Sequence, residues 1–144
     1  MFSIIIPSFN NIDYLKVCIA SLKKNSFYKN EIIVHINIGV DGSIDYLNSE
    51  KIKFTHTEYN SGICEGVNMA SKLSSKDYIV YAHDDFYFCP SWDKYLYDEI
   101  IKIGHNNFYL SSSTIGTTGN LLNCGDSFDN FDERKFLDNY NSVK

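Results

Sequence analysis

The sequence predicts an α/β protein with a mostly parallel central sheet. Short apolar runs rich in β-branched residues recur along the chain, and stretches with helical spacing separate them. Polar clusters follow three of these apolar runs. Alternating strands and helices favour parallel pairing, and right-handed crossovers place the helices on both faces of the sheet. We therefore expect a sandwich of three layers, with the sheet in the middle.

The first strand and the first helix have the clearest patterns. Residues 2–6 are apolar and β-rich, and Pro7 is expected to end this strand. Apolar positions in residues 11–24 recur at intervals of three and four, which is typical of an amphipathic helix. Asn10 or Asn11 is a suitable cap for the start of this helix.

The same alternation continues to about residue 103. A second strand over 31–38 precedes a short helix over 43–50, for which Ser43 is the expected cap. The remaining elements of this part are a strand over 52–56, a helix over 62–73, a strand over 77–82 and a helix over 91–103.

The pattern loosens in a short C-terminal part that begins at about residue 105. A fifth strand over 107–114 is compatible with the sequence, residues 114–130 have the composition of a loop, and residues 131–140 predict a terminal helix. A chain of 144 residues nevertheless predicts one domain, residues 1–144.

Composition and charge exclude several classes of protein. Hydrophobic residues make up 44% of the chain, which is enough for a sizeable core and argues against intrinsic disorder. The formal net charge of −5 argues against a basic surface for nucleic acid, so we expect no nucleic-acid partner. A phosphorylated ligand stays compatible with this charge, because a metal ion can neutralise the phosphates locally.

The cysteines and the N-terminus indicate a cytoplasmic location. The four cysteines form no CxxC pair, so we expect free, mostly buried thiols in a reducing compartment and no zinc site. The apolar N-terminal stretch is too short for a signal peptide or a membrane span. We expect no transmembrane segment, and peripheral membrane contact stays open.

Three polar clusters are predicted to meet at one edge of the sheet. Pro7-Ser8-Phe9-Asn10 follows the first strand, Asp41-Gly42-Ser43 the second, and Asp84-Asp85 the fourth. Parallel sheets bind ligands beyond the carboxyl ends of their strands. This convergence predicts a ligand site at that edge.

Asp84 and Asp85 are the most informative of these residues. Unpaired carboxylates at the end of a buried strand are costly, and a divalent cation with a phosphate ligand would explain them. Successive strand residues point to opposite faces, so both can serve one ligand only if the chain bends there. A capping or turn role for one acid is the alternative. His83 is either a ligand contact or simply the last residue of the strand.

The other two clusters have both structural and functional interpretations. Asp41 lies in a turn-forming context, but its place at the same edge favours a contact with a base N–H. Ser8, Phe9 and Asn10 are expected to line the opposite wall, where Phe9 offers an apolar surface to a base. The alternative for Phe9 is an ordinary core position.

Four stretches together resemble the nucleotide-binding half of a family 2 glycosyltransferase. They are SIIIPSFNN, EIIVHINIGVDGS, YNSGICEGVN and DYIVYAHDDFYFCPSWD. The resemblance covers about residues 2–96, and its specificity lies in the order and spacing of the four motifs. It implies the GT-A fold, in which a Rossmann-like sheet binds a nucleotide-diphosphate sugar.

The resemblance implies a role for each acidic residue of the site. Asp85 would bind Mg²⁺ or Mn²⁺ bridging the diphosphate, and Asp84 would reach the ribose or the water shell of the metal. Asp41 matches the second acid of an Asp-Asp-Gly-Ser turn and would contact the nucleobase. Val40 replaces the first acid of that turn.

Further nucleotide contacts follow from the same motifs. The turn Pro7-Ser8-Phe9-Asn10 matches the position beside the base and the ribose. Asn60, Gly62 and Asn68 match a loop and helix near the nucleotide. The stretch with Pro90, Trp92 and Asp93 is expected to pack beneath the metal site.

The chemistry implied is transfer of the sugar to an acceptor hydroxyl, with inversion at the anomeric carbon. The acceptor would be a glycan or a lipid-linked molecule, and a carboxylate would act as general base. No C-terminal motif matches the family, and a solvated loop is the simpler interpretation of each acid there. Asp126 is our candidate base because Cys124-Gly125-Asp126 follows an apolar pair. The acidic residues of this part that are candidates for the general base are Asp126, Asp129, Asp132 and Glu133.

Two other classes of protein are alternatives to an enzyme. A non-catalytic or truncated nucleotide-sugar-binding module would share the same motifs and would bind donor without turnover. A phospho-receiver domain has a similar length, but it requires an acid pair after the first strand and a lone Asp after the third. The first strand here leads into Pro7-Ser8-Phe9-Asn10 and the third into His56-Thr57, so we reject that fold.

Overall fold

The computed structural model describes residues 1–111 and 123–139. The described residues form two compact units, the first over Met1–Lys94 and the second beginning at Tyr95. In chain order, the elements are β1 (Phe2–Phe9), α1 (Ile12–Asn25), β2 (Glu31–Asn37), α2 (Ser43–Ser49), β3 (Lys53–Thr57), α3 (Gly62–Ser71), β4 (Tyr78–Tyr81), α4 (Trp92–Ile103) and α5 (Glu133–Asn139).

The four strands form a single sheet in the order β3-β2-β1-β4. All three pairings are parallel, which confirms the predicted α/β class. β1 pairs with β2 as far as Phe9 opposite Asn37, and β2 pairs with β3 as far as Asn37 opposite Thr57. The carboxyl ends of these strands therefore lie at one edge.

The core lies on both faces of β1. Ile5 and Ile33 pack with Ala70 of α3 on one face, together with the partly buried Val67. Successive strand residues face opposite sides, so Ile4 lies on the other face, where it is also fully buried. The sheet is thus covered on both sides, as a central parallel sheet requires.

β1 does not end at Pro7, contrary to our prediction. It continues to Phe9, and Pro7 lies opposite His35 of β2. The pairing of β1 with β4 ends at Ile5 opposite Tyr81. At Pro7 the strand is therefore paired on one side only, where a missing N–H is tolerated.

Two predictions near element ends were also wrong. Ser43 is the first residue of α2 and not its cap, because the cap position is Gly42 with φ +91°. Residues 107–111 form no strand, and the rest of the predicted fifth strand, 112–114, lies outside the described residues. The same holds for most of the predicted loop over 114–130, namely its residues 114–122.

The cysteines are free, but only half of them are buried. Cys18 and Cys124 are buried, Cys89 is half-buried and Cys64 is exposed. Over residues 1–111 and 123–139, no helix combines the length and the apolar character needed to cross a membrane.

Asp93 fastens the start of α4 to the loop between α1 and β2. Its carboxylate is fully buried and accepts hydrogen bonds from the backbone N–H groups of Phe27 and Tyr28, at 2.8 and 2.9 Å. The side-chain amide of Asn30 donates a third bond at 2.7 Å. Because a buried carboxylate needs such donors, Asp93 has a structural role.

Candidate functional site

A cavity of about 410 Å³ opens at the carboxyl edge of the sheet in the first unit. The turn after β1, the end of β2, the start of α3 and the end of β4 contribute to it. Its lining residues are Pro7, Ser8, Phe9, Asn10, Asn11, Asn37, Asn60, Gly62, Ile63, His83 and Asp84.

The structure brings together most of the residues that the sequence singled out. Those that line the cavity are Pro7, Ser8, Phe9, Asn10, Asn60, Gly62 and Asp84. Asp41, Asn68 and Asp85 do not line it. Asn68 is exposed within α3, and Asp85 is exposed on the turn after β4.

The chain bends at Asp84 and Asp85, as the hypothesis of a shared ligand required. The N–H of Phe86 donates to the carbonyl of His83 over 3.3 Å, which closes a turn around the two acids. The Ser8 hydroxyl donates to Oδ2 of Asp84 over 2.6 Å. This bond holds the half-buried Asp84 carboxylate at the cavity wall, while Asp85 faces solvent.

His83 lies on the cavity wall beside Asp84. Its Nε2 is 2.9 Å from the hydroxyl of Tyr81, which orients the ring. The carbonyl of His83 accepts a bond from the Cys18 thiol over 3.6 Å. Burial, and then the charges of Asp84 and Asp85, raise the pKa of this thiol, so it remains a donor.

Asn37 connects three parts of the cavity, and the sequence analysis missed it. Its Oδ1 accepts hydrogen bonds from the backbone N–H and the hydroxyl of Ser61, at 2.8 and 2.9 Å. Its Nδ2 donates to the carbonyl of Ser8 over 3.4 Å. The sequence does contain a signal for Asn37, namely a polar residue at the end of the otherwise apolar β2. That position lies at the edge of the sheet where the ligand site is predicted.

His35 supports the start of α3 from inside the protein. Its ring is fully buried and lies within hydrogen-bonding distance of the hydroxyls of Thr55, Thr57 and Ser61, at 2.8, 3.3 and 3.2 Å. Burial lowers the pKa of His35, which favours the neutral ring. A Cβ on Gly66 would lie 2.5 Å from His35 Cδ2, so glycine allows α3 to approach this ring.

The carboxylate of Asp41 connects the start of α1 with the turn after β2. Oδ2 accepts bonds from the N–H of Ile12, the first residue of α1, and from the Ser43 hydroxyl, both at 2.9 Å. Oδ1 accepts the N–H of Ser43 over 3.1 Å. These contacts give Asp41 a capping function that the sequence analysis assigned to Asn10 or Asn11.

Asn10 makes the reciprocal connection between the same two turns. Its Oδ1 accepts the N–H groups of Gly39 and Val40, at 3.1 and 3.2 Å. Asn10 has φ +47°, a left-handed conformation that asparagine tolerates better than most residues. The turn after β1 and the turn after β2 therefore hold each other in place.

Asp126, the candidate base, belongs to a hydrogen-bonded turn in the second unit. Its Oδ1 accepts a bond from the side-chain amide of Asn130. Oδ1 of Asn130 in turn accepts the N–H groups of Asp126 and Ser127, both at 2.9 Å. One carboxylate oxygen of Asp126 is thus already used within the turn.

The carboxylates fit a phosphate-bound divalent cation better than a cation held by protein alone. Within the part of the chain that the structure describes, no three His, Cys, Asp or Glu residues cluster in a metal-binding arrangement. Mg²⁺ commonly takes only one or two protein carboxylates and completes its shell with water and substrate phosphates. Asp84 and Asp85 match that smaller requirement.

A parallel sheet with a cavity at its carboxyl edge is the architecture in which open α/β domains bind ligands. The family model for glycosyl transferase family 2 matches residues 3–141. The chain therefore belongs to glycosyl transferase family 2, which confirms the family that the four motifs indicated.

Solved structures show the same fold. TarS from S. aureus, residues 1–349 in complex with UDP, is 24% identical with a TM-score of 0.64, over 70% of this chain and 32% of that one. The same TarS fragment with UDP-GlcNAc matches at 18% identity and a TM-score of 0.61, over 81% of this chain and 38% of that one.

A more distant match extends this likeness. The mannosyltransferase PcManGT from Pyrobaculum calidifontis, in complex with GDP-Man and Mn²⁺, is 14% identical with a TM-score of 0.58, over 65% of this chain and 30% of that one. The chain thus spans about a third of the length of these structures. No curated protein matches the chain.

Proposed function

We propose that this chain is a metal-dependent glycosyltransferase. It would bind a nucleotide-diphosphate sugar and move the sugar to an acceptor hydroxyl, with inversion at the anomeric carbon. The observation that carries the proposal is the cavity at the carboxyl edge of the sheet. Ser8 and Asp84 both line this cavity and are joined by a hydrogen bond, and the exposed Asp85 follows directly in the chain. Membership of the family supplies the class of reaction.

The cavity suits a nucleotide in its mixture of apolar and polar groups. Phe9 and Ile63 line it with 49% and 53% of their surfaces exposed, which is more than a side chain of the core retains. Apolar surfaces of this kind can pack against a base, while Ser8, Asn37 and Asn60 offer polar contacts to the ribose. The titles of the similar structures name UDP, UDP-GlcNAc and GDP-Man as ligands of those proteins.

The two carboxylates after β4 would hold Mg²⁺ or Mn²⁺. Asp85 is the main candidate because it is exposed on the turn, and Asp84 is restrained by Ser8. The cation, when bound, supplies Lewis-acid stabilisation of the departing diphosphate. The similar mannosyltransferase structure contains Mn²⁺.

Asp126 is the proposed general base for the acceptor hydroxyl. Its Oδ2 would take the proton from the acceptor hydroxyl, while Oδ1 stays bonded to Asn130. The acceptor would be a glycan or a lipid-linked molecule. Asp126→Ala should then abolish transfer and leave donor affinity unchanged.

Calorimetry with UDP and GDP, with and without Mn²⁺, tests the binding step. We expect binding that requires Mn²⁺ and is lost in Asp85→Ala. Asp77→Ala is a matched control, because Asp77 is also exposed but precedes β4 at the opposite end of the strand. Equal binding by the wild type and Asp85→Ala would remove the assignment of the metal.

A transfer assay with nucleotide sugars tests the enzyme itself. Release of the nucleoside diphosphate together with sugar transfer is the expected result. Binding that depends on Mn²⁺, with no turnover of any nucleotide sugar, would contradict an enzyme and favour the non-catalytic binding module.

A further inference from the structure

We propose that the amino edge of the sheet, where the strands begin, is a docking surface for a membrane that contains anionic lipids. This edge lies opposite the cavity in the first unit, so the inference does not depend on the proposed function. The amino-edge surface consists of six exposed residues: Lys24, Phe27, Lys29, Lys51, Lys72 and Lys76.

The two edges of the sheet carry opposite charge, although the chain as a whole has a formal net charge of −5. The acids at the carboxyl edge follow the strands directly or lie in the first turns of α1, α2 and α3. They include Asp13, Asp41, Asp45, Glu65, Asp84 and Asp85. The lysines of the amino-edge surface lie at the other ends of the same strands. The negative net charge therefore conceals a basic surface.

Three of these lysines form a row along the amino edge. Lys29, Lys51 and Lys76 each stand two residues before a strand, namely β2, β3 and β4. Neighbouring strands are about 5 Å apart, so the strand order places the three lysines within about 15 Å along the edge. Helix dipoles explain Lys24 and Lys72, at the ends of α1 and α3. Lys29 and Lys76 lie beyond those last turns, where the dipole effect has faded.

The acid nearest this row is used inside the protein. The Glu31 carboxylate accepts hydrogen bonds from the Ser3 hydroxyl, the N–H of Ser75 and the ammonium of Lys53, at 2.7, 2.9 and 2.6 Å. The exposed Asp77 offsets part of the remaining positive charge. Four lysines of the surface form no ion pair with any residue in 1–111 or 123–139: Lys29, Lys51, Lys72 and Lys76.

Phe27 adds a large apolar side chain to this surface, and 63% of it is exposed. The ring of Tyr28 stands edge-on to it, with the ring centroids 5.1 Å apart. The backbone N–H groups of both residues donate to the buried carboxylate of Asp93, which fixes the loop. Because the loop is already ordered, docking through Phe27 would cost little conformational entropy.

An anionic membrane suits this combination of groups. Lysines attract anionic head groups, and an exposed aromatic ring can insert among them. Specific binding to nucleic acid relies largely on arginine, which bonds to phosphates and bases in pairs, and Arg134 is the only arginine of the chain. A membrane bound at this edge would lie about 25 Å from the carboxyl edge, across the eight residues of β1.

Co-sedimentation of the whole chain with lipid vesicles tests this inference. We expect binding to phosphatidylcholine vesicles that contain about one third phosphatidylglycerol, little binding to phosphatidylcholine alone, and weaker binding as salt is raised. The double variant Lys29→Gln with Lys76→Gln should lower the partition coefficient by about 10- to 30-fold. The matched control, Lys16→Gln with Lys102→Gln, changes the net charge equally outside the surface and should have a much smaller effect.

Two variants of Phe27 test the aromatic contact. Phe27→Ser should weaken binding to the anionic vesicles by about tenfold. Phe27→Trp introduces a fluorescent reporter whose emission should shift to shorter wavelength with these vesicles and be quenched by brominated lipids. The wild type, which contains only Trp92, supplies the background signal. Melting curves show that each variant is folded.

No binding of the wild type to anionic vesicles in dilute salt would overturn the inference. Equal loss of binding in the two lysine pairs would do the same, as would an emission of Phe27→Trp that vesicles do not change. Binding to a single-stranded RNA oligonucleotide without binding to vesicles would also overturn it, and would indicate a nucleic-acid partner for this edge.

Discussion

The hydroxyl of Ser8 donates to Oδ2 of Asp84 over 2.6 Å, although the two residues are 76 positions apart in the chain. The bond joins the end of β1 to the turn after β4. It restrains one carboxylate of the acidic pair, so that Asp84 and Asp85 have different surroundings although they are adjacent.

Ser8→Ala should weaken nucleotide binding in Mn²⁺ by about tenfold, because a hydrogen bond to a charged group contributes about 1.5 kcal/mol or more. Calorimetry with UDP and GDP measures the effect. Ser49→Ala is the matched control, since the Ser49 hydroxyl donates to the carbonyl of Tyr46 on an exposed surface. Unchanged affinity in Ser8→Ala would show that the bond does not organise the site.

Gly66→Ala should destabilise the protein despite the better helix propensity of alanine. Alanine gains up to about 1 kcal/mol over glycine in a helix, whereas forcing a methyl into the His35 ring costs about 1–3 kcal/mol. We expect a net loss of about 1–2 kcal/mol in the free energy of unfolding, measured in urea.

A second substitution shows whether His35 causes that loss. In the double variant with His35→Ala, the ring is absent and Gly66→Ala should cost less than it does in the wild type. Asn68→Ala, on an exposed position of α3, should have little effect. A cost for Gly66→Ala that is the same with and without the ring would contradict the packing argument.

The Glu31 carboxylate should make the free energy of unfolding depend on pH in the acidic range. Partial burial raises its pKa, but hydrogen bonds from Lys53, Ser3 and Ser75 outweigh this and lower the pKa from 4.5 to about 2. A lowered pKa stabilises the folded state above pH 4.5, and this contribution is lost as the pH falls toward 2. Glu31→Gln should lower the free energy of unfolding by about 1–2 kcal/mol at pH 7.

Urea titrations at several pH values check that prediction. The difference between the wild type and Glu31→Gln should shrink between pH 4.5 and 2, in step with protonation of the carboxylate. Glu58→Gln, which changes an exposed carboxyl group, serves as the control. A difference that stays constant across this range would argue against the ionic contribution.

Two serines should respond oppositely to alanine. Among residues 1–111 and 123–139, the buried Ser74 hydroxyl finds no hydrogen-bond partner, so Ser74→Ala should raise the free energy of unfolding by up to about 1 kcal/mol. The Ser21 hydroxyl donates to the carbonyl of Cys18 and accepts the N–H of Phe88. Ser21→Ala should lower that free energy by about 1–3 kcal/mol, because the Phe88 N–H loses its partner. Effects of the same sign would contradict this comparison.

The sequence was sufficient for the sheet and for the edge at which the cavity lies. Hydrophobic periodicity is a local property, and it located four strands and five helices within a few residues of their observed ends. The rule that ligands bind at the carboxyl ends of parallel strands placed Ser8 and Asp84 together before any distance was known.

Side-chain partners were harder to predict than element positions. Asp41 caps a helix that begins 29 positions earlier, and no local pattern indicates such a bond. The length of β1 was missed because the effect of Pro7 depends on which neighbour pairs there, and that depends on where β4 stops. The role of Asn37 was not predicted because its bonds to Ser61 and Ser8 join positions 24 and 29 apart in the chain, which no local pattern indicates.

The bonds around the cavity also bear on how the protein folds. Ser8 and Asp84 are 76 positions apart, Asn10 and Gly39 are 29 apart, and Asn37 and Ser61 are 24 apart. Contacts between distant positions require closure of long loops, and they tend to form late in folding. The proposed nucleotide site would therefore form only when these strands and turns have assembled, and a ligand that binds there would stabilise the folded state.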